Sequence, residues 1–583
     1  MTTLIAQPTR VRQAGTRQHG AVVAHQRLMI LMLLFIMATV AIALRIGWLS
    51  IDTARHRMAQ VASGYLPPRA DLVDRNGEVL ARTIDALSIG VHPSRLLNAP
   101  EELAPKLAAL MPEHTEAEYL TILKAHVVNK KDGKPVDFIY LRRRALPELV
   151  QQINALGEPA MDYIREPQRL YPQTTLAGHV LGFTNFDGLG MAGMEHALEP
   201  RLTDPAQREK PVALSIDMRV QAALESELSA GLLKHRARGA TGIVLDVQTG
   251  EVLAMASLPV FNPNKIPVYK KSAPGEPIDA VWSNSATQNV YELGSTFKPI
   301  TFANAIDSGV VTSLAKRYDA TQPLHVGPFK IHDDEPAHRW LNVPEALVHS
   351  SNIVTAQIAD QLGKERTAAL FQKLNFDKVP AIELHEKGRP IWPKYWARTT
   401  VMTIGYGHGM AVTPLHLAAA YAALVNGGIW RPSTLMKIDS AQAPKGTRVF
   451  SASTSLTLRK LLRLVVVEGT GGKANIEGMR VGGKTGTAEK ASNGSYDHHS
   501  LVSTFVSAFP MDNPRYVVLT MLDEPHGTAD TGGYATAGMV SAPIAGKVIA
   551  RIGPMLGISP DMHKDIDVSD IQPLLWKPRS ERR

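Results

Sequence analysis

Apolar positions follow different patterns along the chain. Leu28–Leu44 is apolar throughout except at Thr39, and it lies between Arg27 and Arg45. At about 1.5 Å per residue the run falls slightly short of a hydrocarbon core of about 30 Å. Arg45 can snorkel, and Ile46, Trp48 and Leu49 extend the apolar face, so the pattern predicts a membrane span over 28–49. Residues 50–211 alternate short strand-like and helix-like runs with many prolines, and Asn76-Gly77 predicts a turn between strands. Beyond them, Val220, Leu224, Leu228 and Leu232 recur at helical spacing and predict a helix over 217–235. Gly242–Val247 and Glu251–Ala256 flank Gln248-Thr249-Gly250, which predicts a β-hairpin. Val481–Thr487, Val502–Phe509 and Tyr516–Leu522 read as three further strands, and 284–470 is mainly helical, punctuated by Gly405-Tyr406-Gly407-His408-Gly409. The expected fold class is α+β, an antiparallel sheet with a helical insertion. Residues 557–583, with Pro560, Pro573 and Pro578, predict a loose tail.

A chain of 583 residues is too long for one core, so two or three domains are expected. The net charge of +9 suggests nucleic acid, but its location argues otherwise. Residues 1–27 carry Arg10, Arg12, Arg17 and Arg27 and no acid, and the last seven residues carry a net +3. That leaves +2 for the whole body, with no basic stripe and interleaved aromatics, so nucleic-acid binding is not expected. There are no cysteines, which excludes disulfides and Cys-zinc sites. The four arginines of the acid-free leader orient the N-terminus to the cytoplasm, although Arg55 and Arg57 on the far side weaken the bias. Ala41-Ile42-Ala43 matches a cleavage triplet, but it lies inside the apolar run, so an uncleaved anchor is expected. Everything after about residue 50 is then extracytoplasmic.

Three motifs in order bring in chemistry: Ser295-Thr296-Phe297-Lys298, Ser350-Ser351-Asn352 and Lys484-Thr485-Gly486-Thr487. They supply a serine nucleophile, a lysine base, a second hydroxyl and a second cation, the equipment for acyl transfer through a serine ester. Ser295 attacks a carbonyl and Lys298 accepts its proton, which requires a neutral amine. A nearby Lys484 charge and partial burial both push Lys298 toward that state. Ser350 passes the proton to the leaving amine, and Asn352 hydrogen-bonds the substrate amide. Lys484, Thr485 and Thr487 hold a substrate carboxylate. The N–H groups of Ser295 and Thr487 form an oxyanion hole if Thr487 lies beside the serine on an edge strand.

Two decoys compete. Ser313-Leu314-Ala315-Lys316 repeats the first motif, but only the Ser295 copy has a glycine before it and Pro299 after it, which predicts a helix starting at about Ser295. Gly478–Thr485 matches the phosphate-loop pattern, and Val517–Glu524 resembles the acidic-ended strand of an ATPase. A phosphate loop needs a strand before it and a helix after it, and Met479–Thr487 reads as a strand itself. His498-His499 are adjacent and no H-E-x-x-H exists, so no metal and no cofactor is expected. The Asp and Arg residues of 69–77 and 169–195 read as a structural salt-bridge network, since no nucleophile accompanies them.

At these motifs the chain resembles the class B, monofunctional penicillin-binding proteins, from the anchor to about residue 556. Arg69–Gly77, Arg169–Pro172 and Gly190–Glu195 look like the signature of that family's pedestal domain. Thr249–Met255, Tyr291–Gly294, Gly407-His408-Gly409 and Thr413-Pro414-Leu415 look like segments around its active site. Ala70, Leu293 and His416 depart from the usual glycine, proline and glutamine, which bears on local loop geometry. The resemblance implies a cytoplasmic tail (1–27), an anchor (28–49), a non-catalytic pedestal (50–211), a transpeptidase domain (212–556) and a C-terminal tail (557–583). It implies catalytic roles for Ser295, Lys298, Ser350, Asn352 and Lys484, and substrate binding by Thr485, Gly486 and Thr487. The implied enzyme is a periplasmic D,D-transpeptidase on the inner membrane that cross-links peptidoglycan stem peptides and is acylated by β-lactams. Length and the early serine look most like the cell-division type, with septal location, a SEDS-family glycosyltransferase and divisome proteins as partners. The elongation type is the runner-up, and a β-lactam sensor stays open.

Overall fold

The computed structural model describes residues 29–30, 32–42, 45, 69–125, 127–128, 135–136, 138–265, 281–492 and 495–576. Two compact units divide the chain, Met1–Pro67 and Pro68–Arg583. In the first, the described residues 29–30, 32–42 and 45 are helical and expose their apolar side chains, Phe35 most of all. Among the described residues no helix is long and apolar enough to cross a membrane. The rest of the expected anchor lies outside them.

The second unit opens with a small sheet. Strand β1 (Leu72–Val73) turns through Asn76-Gly77 into the long β2 (Val79–Val91), as the turn signal predicts. Helices α1 (Pro100–Leu110), α2 (Glu116–Leu123) and α3 (Pro147–Asn154) cover it, and β3 (Ile139–Ala145) and β4 (Met161–Leu170) pair with β2. Leu103, Leu107, Tyr119, Leu123 and Ile153 close a separate core over Ile89 and Val91. Below this sheet Glu195, fully buried, accepts from Arg69 Nε at 3.0 Å and from Arg169 Nε at 2.6 Å. Arg69 also donates to Glu199 at 2.7 Å and to the Gly188 carbonyl at 2.9 Å. These are the motif residues read as a salt-bridge network, and they staple three segments of chain. Removing one member would strand a buried charge, at a cost of about 3–5 kcal/mol. Strand β5 (Val212–Ala213) pairs in parallel with β1 and leads out of this sheet.

Helix α4 (Met218–Lys234) precedes the hairpin β6 (Gly239–Asp246) and β7 (Val252–Leu258), close to the expected limits. The insertion that follows carries α5 (Lys298–Asp307), α6 (Val343–Val348), α7 (Asn352–Lys373), α8 (Pro414–Val425) and α9 (Ala452–Val467). The chain then returns through β8 (Gly482–Ser492), β9 (Ser495–Phe509) and β10 (Tyr516–Asp523) and ends in α10 (Ser541–Met555) and a further stretch. The five strands form an antiparallel sheet in the order β8-β9-β10-β6-β7, which leaves β8 on an edge. Alternate residues go to opposite faces. Val517, Leu519 and Met521 join the core under α8, while Val518 and Leu522 join the core under α4 and α10. Every residue of α8 is buried, as expected for a helix apolar all round.

The C-terminal expectation is corrected. Residues 557–576 are docked rather than loose, with Ile566 and Ile571 buried in the main core. The remaining tail lies outside the described residues.

Candidate active site

The nucleophile turn is built from backbone constraints. Gly294 has φ +53°, a left-handed conformation that favours glycine. Gly294–Phe297 forms a 3-10 turn, and α5 starts at Lys298 with Pro299 in its first turn. The helix therefore starts one turn later than expected, while Ser295 and Lys298 keep the i, i+3 spacing that a 3-10 turn eclipses. The turn is clamped from below, where Tyr421 on α8 donates its hydroxyl to the Thr296 carbonyl at 2.8 Å. Leu293, at the usual proline position, is buried, and His416 forms a reciprocal cap with Thr413 at the start of α8. Ala70, at the usual glycine position, is fully buried.

The second motif sits between two helix ends. The N–H groups of Ser350 and Ser351 donate back to Leu347 and Ala346 carbonyls at 3.2 and 2.8 Å, which closes α6 with a Schellman-type end. The residue that must be left-handed in such an end is normally glycine; here it is Ser350, with φ +57°. A side chain in that conformation costs about 1–2 kcal/mol. The strain sits on a residue of the candidate site. Ser351 then caps α7 by accepting from Val354 N–H at 3.1 Å and donates to Asp333 at 2.8 Å. Asn352 donates to the His332 carbonyl at 3.0 Å.

The third motif lies on the edge strand β8. Gly486 allows the closest approach: a β-carbon there would lie 2.5 Å from the Leu293 carbonyl oxygen. Likewise a β-carbon on Gly294 would lie 3.0 Å from the Thr487 carbonyl oxygen, so the Thr487 backbone runs beside the serine turn. Thr487 accepts from Ala537 N–H at 3.0 Å, and the Thr485 and Thr470 hydroxyls are 2.7 Å apart.

Two buried amines converge on one hydroxyl. Lys298 Nζ donates to Ser350 Oγ at 3.1 Å and also to the Ser350 carbonyl. Lys484 Nζ donates to the same Oγ at 3.0 Å and to the Thr485 carbonyl at 3.1 Å. Both lysines are 0 % exposed. A cleft of about 730 Å³ opens over them, lined by Ser295, Ser350, Asn352, Thr485, Thr487 and His408 among others. Lys484 lies behind this lining rather than in it, whereas Thr485 and Thr487 face the cleft.

Burial pushes the Lys298 amine down to about 7, against the pull of the Asp333 and Asp334 carboxylates. Burial also holds Lys484 well below the usual lysine range, and the neighbouring Lys298 charge adds to it. The expectation of partial burial is thus corrected to complete burial, and burial leads. With its pKa near 7, the Lys298 amine is largely neutral over the upper part of the neutral range, the state a proton acceptor needs. Acylation by penicillin should therefore fall as pH drops through about 7 and level off above it, because only the neutral amine accepts the proton. Second-order labelling rates between about pH 5 and pH 9 check this; a flat acid limb would contradict it.

The decoys fall away on geometry. Ser313 Oγ accepts from Ala315 N–H at 3.3 Å in an exposed turn, and Lys316 reaches Gln361. Lys484 sits inside β8, not in a loop that leads into a helix. Among the described residues no cluster could hold a metal ion.

Residues 240–550 match the penicillin binding protein transpeptidase domain, and residues 65–203 match the penicillin-binding protein dimerisation domain. The chain belongs to the penicillin-binding protein family. Within the family it is of the class B, penicillin-binding protein 3 type. It is 38% identical over 542 residues to the probable peptidoglycan D,D-transpeptidase FtsI of Caulobacter vibrioides, covering 91% of this chain and 89% of that one. It is 28% identical over 562 residues to the peptidoglycan D,D-transpeptidase FtsI of Escherichia coli, covering 89% and 90%. Among solved structures, the transpeptidase domain of Burkholderia pseudomallei penicillin-binding protein 3 matches with TM-score 0.53 and 31% identity, over 60% of this chain and 98% of that one. Penicillin-binding protein 3 of Mycobacterium tuberculosis, complexed with aztreonam, shares the fold with TM-score 0.63 and 24% identity, over 85% and 98%.

Several residues of this penicillin-binding protein site were not visible in the sequence. Asp333 and Thr470 sit in irregular segments and carry no signal. Tyr421 had one, as the only phenol in a helix that is otherwise apolar apart from His416 in its first turn.

Proposed function

We propose that this chain is a peptidoglycan D,D-transpeptidase that cross-links stem peptides during septal wall synthesis. The observation that carries this is the Ser350 hydroxyl shared by two buried lysines, in a cleft that Ser295 also lines. Ser295 Oγ attacks the carbonyl of the penultimate D-Ala and gives its proton to neutral Lys298 Nζ. Ser350 relays that proton to the leaving nitrogen, the C–N bond breaks, and terminal D-Ala departs. An amine from a neighbouring stem then attacks the ester, and its proton returns along the same path to Ser295 Oγ. Asn352 aligns the stem's amide, while Thr485 and Thr487 take its carboxylate with Lys484 behind them. Gly486 keeps β8 close enough for Thr487 N–H and Ser295 N–H to receive the oxyanion. A β-lactam follows the first half of this path and stays on the serine.

In this account residues 1–27 are cytoplasmic, 28–49 anchor the chain in the inner membrane, 50–211 form the pedestal, 212–556 form the periplasmic enzyme and 557–583 the C-terminal tail. Tethering raises the effective concentration of membrane-bound partners, here a SEDS-family glycosyltransferase and divisome proteins. The test uses cells whose only copy carries Ser295→Ala. They should form filaments and lose wall incorporation at midcell. Swollen or rounded cells that still divide would assign the enzyme to side-wall growth instead.

A further inference from the structure

The docked stretch 557–576 touches the carriers of two catalytic motifs. At its start, Asp561 N–H donates to the Gly478 carbonyl at 3.0 Å, and a β-carbon on Gly478 would lie 2.8 Å from that nitrogen. Next, Asp565 accepts from Arg463 on α9 at 2.8 Å, and the same guanidinium donates at 2.9 Å to the Val481 carbonyl, immediately before β8. Asp570 accepts from Lys460 at 2.8 Å. Such exposed ion pairs are worth little by themselves. The stretch is also anchored by burial. Ile566 and Ile571 are buried in the main core, to which Val343, Ala346 and Leu347 of α6 also belong.

The far end reaches the cap of α6. Asn342 and Glu345 cap that helix reciprocally, each accepting the other's N–H at 3.0 Å. Asn342 Nδ2 also donates to the Leu574 carbonyl at 2.6 Å, and Trp576 N–H donates to Glu345 at 3.0 Å. Arg339 donates to the same carboxylate at 2.7 Å and stacks its guanidinium over the Trp576 ring at 5.1 Å. Helix α6 spans six residues, about 9 Å, and its other end is the Schellman turn that carries Ser350.

We propose that residues 557–576 are a positioning strap that holds α6, and through it Ser350, in register with the start of the Lys484 strand. The role rests on the acyl-serine chemistry proposed above. Ser350 must meet two amines at hydrogen-bond distance, and a misplacement of about 1 Å can cost about 10²-fold in rate.

The test compares full-length protein with a chain ending at residue 556 and with Ile571→Ala and Trp576→Ala in the full-length chain. The readouts are the fluorescent-penicillin acylation rate per folded molecule, its acid-side midpoint and the melting temperature. Acylation should slow about tenfold or more. The midpoint should move up, since a less buried Lys298 returns toward the ordinary lysine range while Lys484, Asp333 and Asp334 still face it. Ile571→Val and Trp576→Phe should restore both. A lower melting temperature with unchanged rate and midpoint would overturn the strap and leave only a stabilising segment. If the shortened chain does not fold, the point variants decide. Absence of labelling in the unaltered protein would instead sink the acyl-serine chemistry itself.

Discussion

Lys298→Met should slow acylation of Ser295 by roughly 10²–10⁴-fold, the range for loss of a positioned proton acceptor. Methionine nearly matches the lysine stem, and its thioether needs no hydrogen-bond partner. The amine it removes is fully buried and already pushed down to about 7. Removing the amine relieves its own desolvation but leaves the Ser350 carbonyl without that donor, so the net stability loss should not exceed about 1–3 kcal/mol. A rate loss far beyond what so small a stability change explains therefore separates chemistry from folding. Fluorescent-penicillin labelling kinetics and a thermal melt on the same preparation check both parts. Labelling within about threefold of the unaltered protein would give the proton to another base.

Ser350→Ala should be nearly as damaging and should also cost stability. Alanine removes the one hydroxyl that accepts from Lys298 at 3.1 Å and from Lys484 at 3.0 Å. The left-handed backbone strain at this residue is the same for serine and alanine, so it cancels. Lys484 keeps the Thr485 carbonyl and Lys298 keeps the Ser350 carbonyl, yet each loses a partner without gaining solvent. The expected losses are about 1–3 kcal/mol of stability and about 10²–10⁴-fold in acylation, since the proton relay is cut. Ser351→Ala is the informative neighbour. It loses the α7 cap and the Asp333 contact, a stability loss of about 0.5–2 kcal/mol, with the relay hydroxyl still in place. The two stability losses overlap, so a uniform structural effect would slow acylation comparably in both variants; denaturant unfolding and acylation rates on the pair should instead show the large rate loss in Ser350→Ala alone.

The parts of this site that depend on residue type at short spacing were legible in the sequence. Ser295 and Lys298 need only one turn of chain, and Lys484–Thr487 needs only a strand with a glycine in the middle. The strands were legible for the same reason: Tyr516–Asp523 alternates between two cores, and its apolar run announces it. What escaped depends on contacts across long separations. The Tyr421–Thr296 bond spans 125 residues, and the one between Ser351 and Asp333 joins a helix cap to an irregular segment. The docked C-terminal stretch was misjudged because its apolar residues, Ile566, Val568, Ile571, Leu574 and Leu575, are too few and too interrupted by acids and Pro573 to announce an element. Full burial of both lysines was also hidden, since a charged residue on an edge strand ordinarily faces water.

The most direct test of the central claim is peptide mapping of the full-length protein after penicillin treatment, with the Ser295→Ala and Ser313→Ala variants alongside. The account predicts one covalent adduct, on the peptide containing Ser295, lost in Ser295→Ala and kept in Ser313→Ala. An adduct on any other serine, or one that survives Ser295→Ala, would contradict it.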